Sequence, residues 1–260
     1  MRKAAAARSL TRGRARHLTV SRRDGVAWLQ LDRPQAGNRV TAALAQDLCS
    51  AAADIELDDG VAVVAVAASG ATFCAGVEHG GEWEQAVNWV EAIARLTRPV
   101  VAIIQGDALA EGLELALACD LRVSSEQAHF AMPQLANGRL PAHGGTQRLP
   151  RIVGRMRALE LVLTGRTVGA AEAQAIGLVS RVIAHHELMR AAEELLRELR
   201  SKGPLALRYA KEAVLKGSDL TLDQGIRLEE DLYALLQTTR DRQEGIRAFL
   251  HKRQPVFRGR

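Results

Sequence analysis

No run of eighteen uninterrupted apolar residues occurs in this 260-residue chain, so no segment reads as a membrane-spanning helix. Cysteine is scarce: Cys49, Cys74 and Cys119 are odd in number and widely spaced. That spacing excludes a disulfide framework and a cysteine-based zinc site, and it points to a reducing compartment. Neither a P-loop nor a G-x-G-x-x-G dinucleotide fingerprint is present, and each would have marked a phosphate cradle. His185-His186 has no third ligand nearby in the sequence, so no metal site is read. No repeat of 20–50 residues is visible, which sets solenoid and propeller architectures aside.

Acidic residues are missing from positions 1–23, which hold eight of the 35 lysines and arginines. The formal charge of +5 therefore belongs to this segment, and the remainder is mildly acidic. Ala4–Ala7 is too short for a secretory apolar region. An Arg-rich, acid-free start fits a mitochondrial transit segment or a nucleic-acid arm. The plainer reading, a solvated and disordered extension over residues 1–16 of a cytoplasmic protein, is the one adopted. The segment has no aromatic residue for base stacking, which argues against nucleic acid as a partner.

What is present is alternation. His17–Val20 and Gly25–Leu31 read as strands around a turn, and Thr41–Leu57 as a helix with Thr41 as N-cap. Val61–Ala67 and Val100–Gln105 are continuous apolar runs, the pattern of strands covered on both faces. Between them lie the Gly- and Ala-rich loop 70–81 and an amphipathic helix over Glu82–Leu96, with Trp83 in its core face and Trp89 off it. Short strands follow at Leu121–Ser124 and Ala128–Phe130. This predicts an α/β core over residues 17–184. From residue 185 to 260 helical periodicity takes over, at Glu187–Ser201, Pro204–Lys216, Leu222–Thr238 and Asp241–Lys252. Gly203 ends the first of these, Pro204 starts the second, and Thr221-Leu222-Asp223-Gln224 fits a capping box.

The segment Gly106–Asp120 carries a chemical puzzle. Glu111 and Glu114 stand in a stretch otherwise made of Leu, Ala, Gly and Cys, and a helix apolar on every side is a buried one. Strand Val100–Gln105, a turn and a helix from about Glu111 form a unit whose first helical turn offers free N–H groups to an oxyanion. For Glu111, read as solvent-facing, compensation of the helix dipole suffices. For Glu114 it does not, because its helical neighbours are apolar. Burial raises a carboxyl pKa toward neutrality, which suits a general acid or base. Two further stretches are weaker signals. Thr72–Val77 has Gly76, which lets a main-chain N–H approach a ligand. Pro133-Gln134 precedes a small-residue loop, Leu140–Pro150.

Taken in order, these pieces resemble the crotonase family of enoyl-CoA hydratases and isomerases over residues 17–260. The resemblance rests on Leu31-Asp32-Arg33-Pro34…Asn38, Phe73-Cys74-Ala75-Gly76, Gly106-Asp107-Ala108-Leu109…Gly112…Glu114-Leu115-Ala116 and Cys119-Asp120-Leu121-Arg122. It continues through Gly144-Gly145-Thr146-Gln147-Arg148-Leu149, Thr164-Gly165…Gly177-Leu178-Val179 and Asp241-Arg242-Gln243-Glu244-Gly245. It implies an α/β fold, a spiral of ββα turns, with a C-terminal all-helical region that builds homotrimers, often paired into hexamers. It also implies an acyl-CoA thioester as the small-molecule partner. Coenzyme A would enter as part of the substrate, with no cofactor tightly bound.

By position, the resemblance places the thioester oxygen between the backbone N–H groups of Val77 and Glu111, where an enolate would form. A single such donor is typically worth about 2.7–4 kcal/mol. It gives Glu114 the acid/base role. The coenzyme would lie along Arg33–Ala36 and the backbone of Ala75–His79, Glu78 included, with Tyr233 and Lys252 against the nucleotide.

Three departures from the family pattern are visible. Gln134 stands where hydratases carry a second glutamate, and an amide does not exchange a proton near neutral pH. Glu111 stands where a glycine is usual. Ala142 and His143 replace small residues beside the expected catalytic water. With an ordinary pKa near 6.5, His143 has the means to trade protons, although loop packing is the plainer use for it and for His79. The expected activity is hydration of a 2-enoyl-CoA. One-carboxylate chemistry (double-bond isomerisation, decarboxylation or thioester hydrolysis), a non-catalytic CoA-binding paralogue and an RNA-binding relative are the alternatives.

Overall fold

The structure is a computed structural model describing residues 13–14, 17–78 and 88–260. The tail over 1–12, His79 and the front of the amphipathic segment, with Trp83, lie outside the described residues.

Two strands, β1 (Gly13–Arg14) and β2 (Leu18–Arg23), open the main sheet. They are followed by β3 (Val26–Leu31), α1 (Ala42–Leu57), β4 (Val63–Ala68), α2 (Trp89–Ala94) and β5 (Val100–Ile104). The chain continues through β6 (Ala108–Leu109), α3 (Glu111–Ala118), β7 (Leu121–Ser125) and β8 (His129–Ala131). Next come α4 (Gly145–Val153), α5 (Arg155–Thr164), β9 (Val168–Gly169), α6 (Ala170–Ala175) and β10 (Arg181–Ile183). Helices α7 (Leu188–Arg200), α8 (Pro204–Gly217), α9 (Leu222–Gln237) and α10 (Arg240–Leu250) complete it.

The seven-stranded sheet has the order β1-β2-β3-β4-β5-β7-β10. Its first two pairings are antiparallel and the others parallel. A small sheet, β6-β8-β9, lies apart from it. The apolar runs behave as period-2 strands buried on both sides. Val64, Val66, Ala102 and Ile104 face the larger core with α1, α2 and α3. Val63, Ala65, Val101 and Ile103 face Leu188, Ala192, Leu195 and Leu196 of α7. The latter four residues form one apolar stripe at helical spacing.

Thr41 caps α1 by accepting from the Leu44 N–H, and the capping box at Thr221 is complete. Gly203 is the N-cap of α8, not the end of α7, which closes at Ser201. Lys211 of α8 pairs with Asp120 at 2.7 Å and donates to the Arg98 carbonyl at 3.0 Å, fastening the helical section to the sheet. No helix among the described residues is long and apolar enough to cross a membrane.

Trp89 differs from its expected place off the apolar face. It is fully buried in the main core, and its ring centroid lies 5.5 Å from that of His143. The helix begins at Trp89 among the described residues, so the residue faces inward at the first turn instead of projecting from a mid-helix polar face.

Candidate active site

Three chain segments meet at α3. Asn38, fully buried, ties two of them together: its Oδ1 accepts from the Arg33 N–H, and its Nδ2 donates to the carbonyls of Ser69 and Thr72. The segment 72–78 then runs between the 37–40 loop and the β6 turn. Ala75 N–H donates to Gly37 O, Val40 N–H to Gly76 O, and Cys74 N–H to Asp107 O. Gly112 is required where α3 abuts this segment, because a Cβ there would fall 2.0 Å from the Cys74 carbonyl oxygen. Ala110, just before α3, has φ 51° and ψ −122°, a strained conformation for a residue with a Cβ. It sets the direction of the helix's first N–H, that of Glu111, which has no carbonyl one turn earlier to bond.

Glu114 is fully buried. Its Oε1 accepts from the backbone N–H groups of His143 and Gly145, each at 2.8 Å, and its Oε2 accepts from Gln134 Nε2 at 3.3 Å. Burial pushes its pKa up to about 7 against those two N–H groups, with the Glu111 charge adding to the rise and Arg148 opposing it. The group therefore exchanges protons in the range where a general acid or base is effective. Gln134 is buried, and its Oε1 has no hydrogen-bond partner among the described residues. His143 contributes its main chain to the carboxylate and its ring to Trp89. Arg148 holds this loop by donating to the His143 carbonyl at 2.8 Å and to Glu91 at 2.6 Å.

Glu111 overturns its expected solvent-facing position: it is only 3% exposed. Its Oε2 accepts from the Val77 N–H at 3.2 Å, and its Oε1 meets Arg139 Nη2 at 3.3 Å. The physical reason lies in the strained turn at Ala110, which aims the first turn of α3 at residues 76–77 instead of at solvent. Gly76, at φ +102°, makes room; a Cβ there would stand 2.8 Å from Glu111 Oε2.

A profile of the family described as "Enoyl-CoA hydratase/isomerase" matches residues 21–260. The chain belongs to this family. It is 40% identical over 254 residues to a Bacillus subtilis protein named as an enoyl-CoA hydratase/isomerase, covering 93% of this chain and 98% of that one. It is 36% identical to the 2,3-dehydroadipyl-CoA hydratase of Escherichia coli, covering 94% and 99% respectively. The crystal structure of an enoyl-CoA hydratase from Bacillus anthracis superimposes with a TM-score of 0.90 at 35% identity, over 94% of this chain and all of that one. The crotonase-type α/β architecture expected from the sequence is the one found.

Within this hydratase/isomerase fold, Glu114, Gln134 and the main chain of His143 come together directly. Val77 and Glu111 also meet, through the buried Glu111 side chain. Of the expected coenzyme residues, Arg33 pairs with Glu78 at 3.1 Å, and Ala75 N–H donates to the carbonyl of Gly37, the residue after Ala36. Tyr233 and Lys252 are exposed on the helical section. Among the described residues, no hydrogen bond, ion pair or ring contact joins either of them to the Arg33 loop. Arg139 and Arg148 were not found from the sequence. Each acts on a partner 28 or more positions away, and no local pattern marks such a pairing.

Proposed function

We propose that the chain is an acyl-CoA enzyme that adds water to a 2-enoyl-CoA, with Glu114 as the single acid/base. The observation carrying this reading is a buried carboxyl with a pKa of about 7, anchored on two main-chain N–H groups. Water attacks the β-carbon and gives its proton to the Glu114 carboxylate. The double-bond electrons move to the thioester oxygen, held as an enolate by the N–H groups of Val77 and Glu111. The α-carbon then takes the proton from Glu114, which returns to its starting state. Gln134 Oε1, buried and without a partner among the described residues, supports the reading as an acceptor that orients the water. Arg33, Ala36, Ala75, Glu78 and His79 would bind the coenzyme, with Tyr233 and Lys252 at its nucleotide end. Coenzyme A arrives as part of the substrate, with no separate cofactor. The exposed apolar side chains of the helical section, among them Leu222, Phe249 and Leu250, support assembly as a homotrimer or a pair of trimers.

One observation favours a second reading. The group facing Glu114 is an amide that donates to it, so a single carboxylate has to carry every proton. Isomerisation of a 3-enoyl-CoA needs only that: Glu114 takes an α-proton, and the dienolate receives it back at the γ-carbon. Incubation of the full-length protein with a panel of acyl-CoAs in deuterated water, followed by mass spectrometry, separates the readings. Hydration adds the mass of water, isomerisation only deuterium, decarboxylation removes carbon dioxide and hydrolysis frees coenzyme A. Glu114→Gln is expected to lower whichever rate appears by about 10²–10⁴-fold. An unchanged rate in that variant overturns the assignment of Glu114.

A further inference from the structure

We infer that the Glu111 carboxylate is a built-in occupant of the oxyanion hole, which an acyl thioester has to displace before it can react. The inference rests on the acyl-CoA reading above and concerns the same site. Its basis is that one residue supplies both a donor and a competitor. The Glu111 backbone N–H opens α3, while its own Oε2 lies on the Val77 N–H at 3.2 Å. The carboxylate is almost wholly buried, and Arg139 holds its other oxygen at 3.3 Å. Oε2 stands so close above Gly76 that even a methyl group on that residue would crowd it.

A backbone N–H can make one strong hydrogen bond at a time, and an ionised acceptor makes a stronger one than a neutral carbonyl. A ground-state thioester oxygen is neutral, so it competes poorly with the carboxylate for Val77. An enolate oxygen is anionic and competes on equal terms. Displacing the carboxylate costs the same whichever ligand enters, so the occupant lowers the affinity for substrate and for intermediate by the same factor. Apparent affinity falls in proportion to the fraction of molecules whose hole is open.

Glycine at position 111 would remove the competitor and keep both N–H groups. Titration calorimetry on the full-length protein with butyryl-CoA, which has no double bond to hydrate, reads the effect. Glu111→Gly is expected to tighten butyryl-CoA binding about tenfold, the gain from opening a hole free in about one molecule in ten. Glu111→Gln, which keeps a weaker neutral acceptor, is expected to fall between the two. Free coenzyme A, which lacks the thioester oxygen, should bind all three proteins alike. Amide exchange at Val77 should be faster in Glu111→Gly, a readout independent of any ligand.

Equal butyryl-CoA affinity in wild type and both variants overturns the inference, as does unchanged exchange at Val77. A Glu111→Gly protein that binds better but turns over at least tenfold more slowly also overturns it, since the carboxylate would then serve the chemistry. Absence of both butyryl-CoA and coenzyme A binding in all three proteins, with Val77 exchange responding as expected, instead overturns the acyl-CoA reading beneath it. Should Glu111→Gly not fold, Glu111→Gln carries the same comparison.

Discussion

The side-chain amide of Gln134 donates to Glu114 Oε2 across 3.3 Å. That contact makes the residue facing the acid a neutral donor. Gln134→Glu would place a second carboxylate within hydrogen-bond reach, and two such groups share one proton rather than both ionise. The variant should gain a distinct proton donor for the α-carbon. The expected outcome is a rise of about tenfold or more in hydration relative to isomerisation, the lower range of what a positioned acid supplies. Chromatography of the products from 2-enoyl- and 3-enoyl-CoA measures the ratio. An unchanged ratio would mean that the missing carboxylate does not limit water addition.

The raised pKa of Glu114 has a thermodynamic consequence as well as a kinetic one. A carboxyl at about 7 in the folded chain, against an ordinary 4.5, binds its proton more tightly when folded. Its stabilising contribution is complete below pH 4.5 and is lost as pH rises through about 7. Glu114→Gln keeps an oxygen for the N–H groups of His143 and Gly145 but carries no charge. Melting temperatures of the two proteins should therefore agree near pH 4.5. By pH 8 the variant should melt several degrees higher, reflecting at most about 3 kcal/mol. A constant gap across this range would show that the carboxyl is not held near neutrality.

The fold and half of the site were legible in the sequence for the same reason: both are written in local patterns. Val63–Ala68 and Val100–Ile104 are apolar without interruption because both faces are covered, and Thr221 with Gln224 forms its capping box within one turn. Glu114 betrays itself by apolar neighbours on every side. What stayed hidden depends on backbone direction or on distant partners. The strained turn at Ala110 swings Glu111 inward, and alanine carries no sign of such a turn. Arg139 and Arg148 reach across loops whose mutual placement no spacing encodes. Trp89 looks misplaced on a helical wheel because the wheel assumes a helix that runs through it.

Arg148 and Glu111 act on Glu114 with opposite sign. The Arg148 charge lowers the Glu114 pKa, and the Glu111 charge raises it. Arg148→Met should move the Glu114-dependent inflection in kcat/KM to higher pH, and Glu111→Gln should move it to lower pH. Arg148 also holds the His143 carbonyl, and so it positions the N–H on which Glu114 rests. Loss of this anchor should lower kcat several-fold as well, while KM for the acyl-CoA stays close to wild type. Rate profiles between pH 5 and 9 test both variants. Shifts of the same sign, or none, would show that these charges do not set the acid's titration.

Arg98 offers a prediction about stability that is separate from catalysis. Its side chain is fully buried. It donates to the carbonyls of Val61, Glu56 and Asp58 at 2.8, 3.2 and 2.9 Å, and pairs with the Glu56 carboxylate at 3.1 Å. Two of those carbonyls belong to the end of α1, where the last turn has no helical partner for its oxygens. The guanidinium therefore closes a helix C-terminus and joins it to the start of β4. Arg98→Met fills similar volume with a stem that offers no donor, leaving the three carbonyls without this partner and Glu56 without its counter-charge. Leaving a buried acceptor without its donor costs about 1–3 kcal/mol, and the shift should appear as a lower urea midpoint at an unchanged slope. Because Arg98 makes no contact with Glu114, Gln134 or Val77 among the described residues, the rate per folded molecule should match wild type at low temperature. A midpoint within experimental error of wild type would show that the end of α1 is held by the surrounding apolar packing alone.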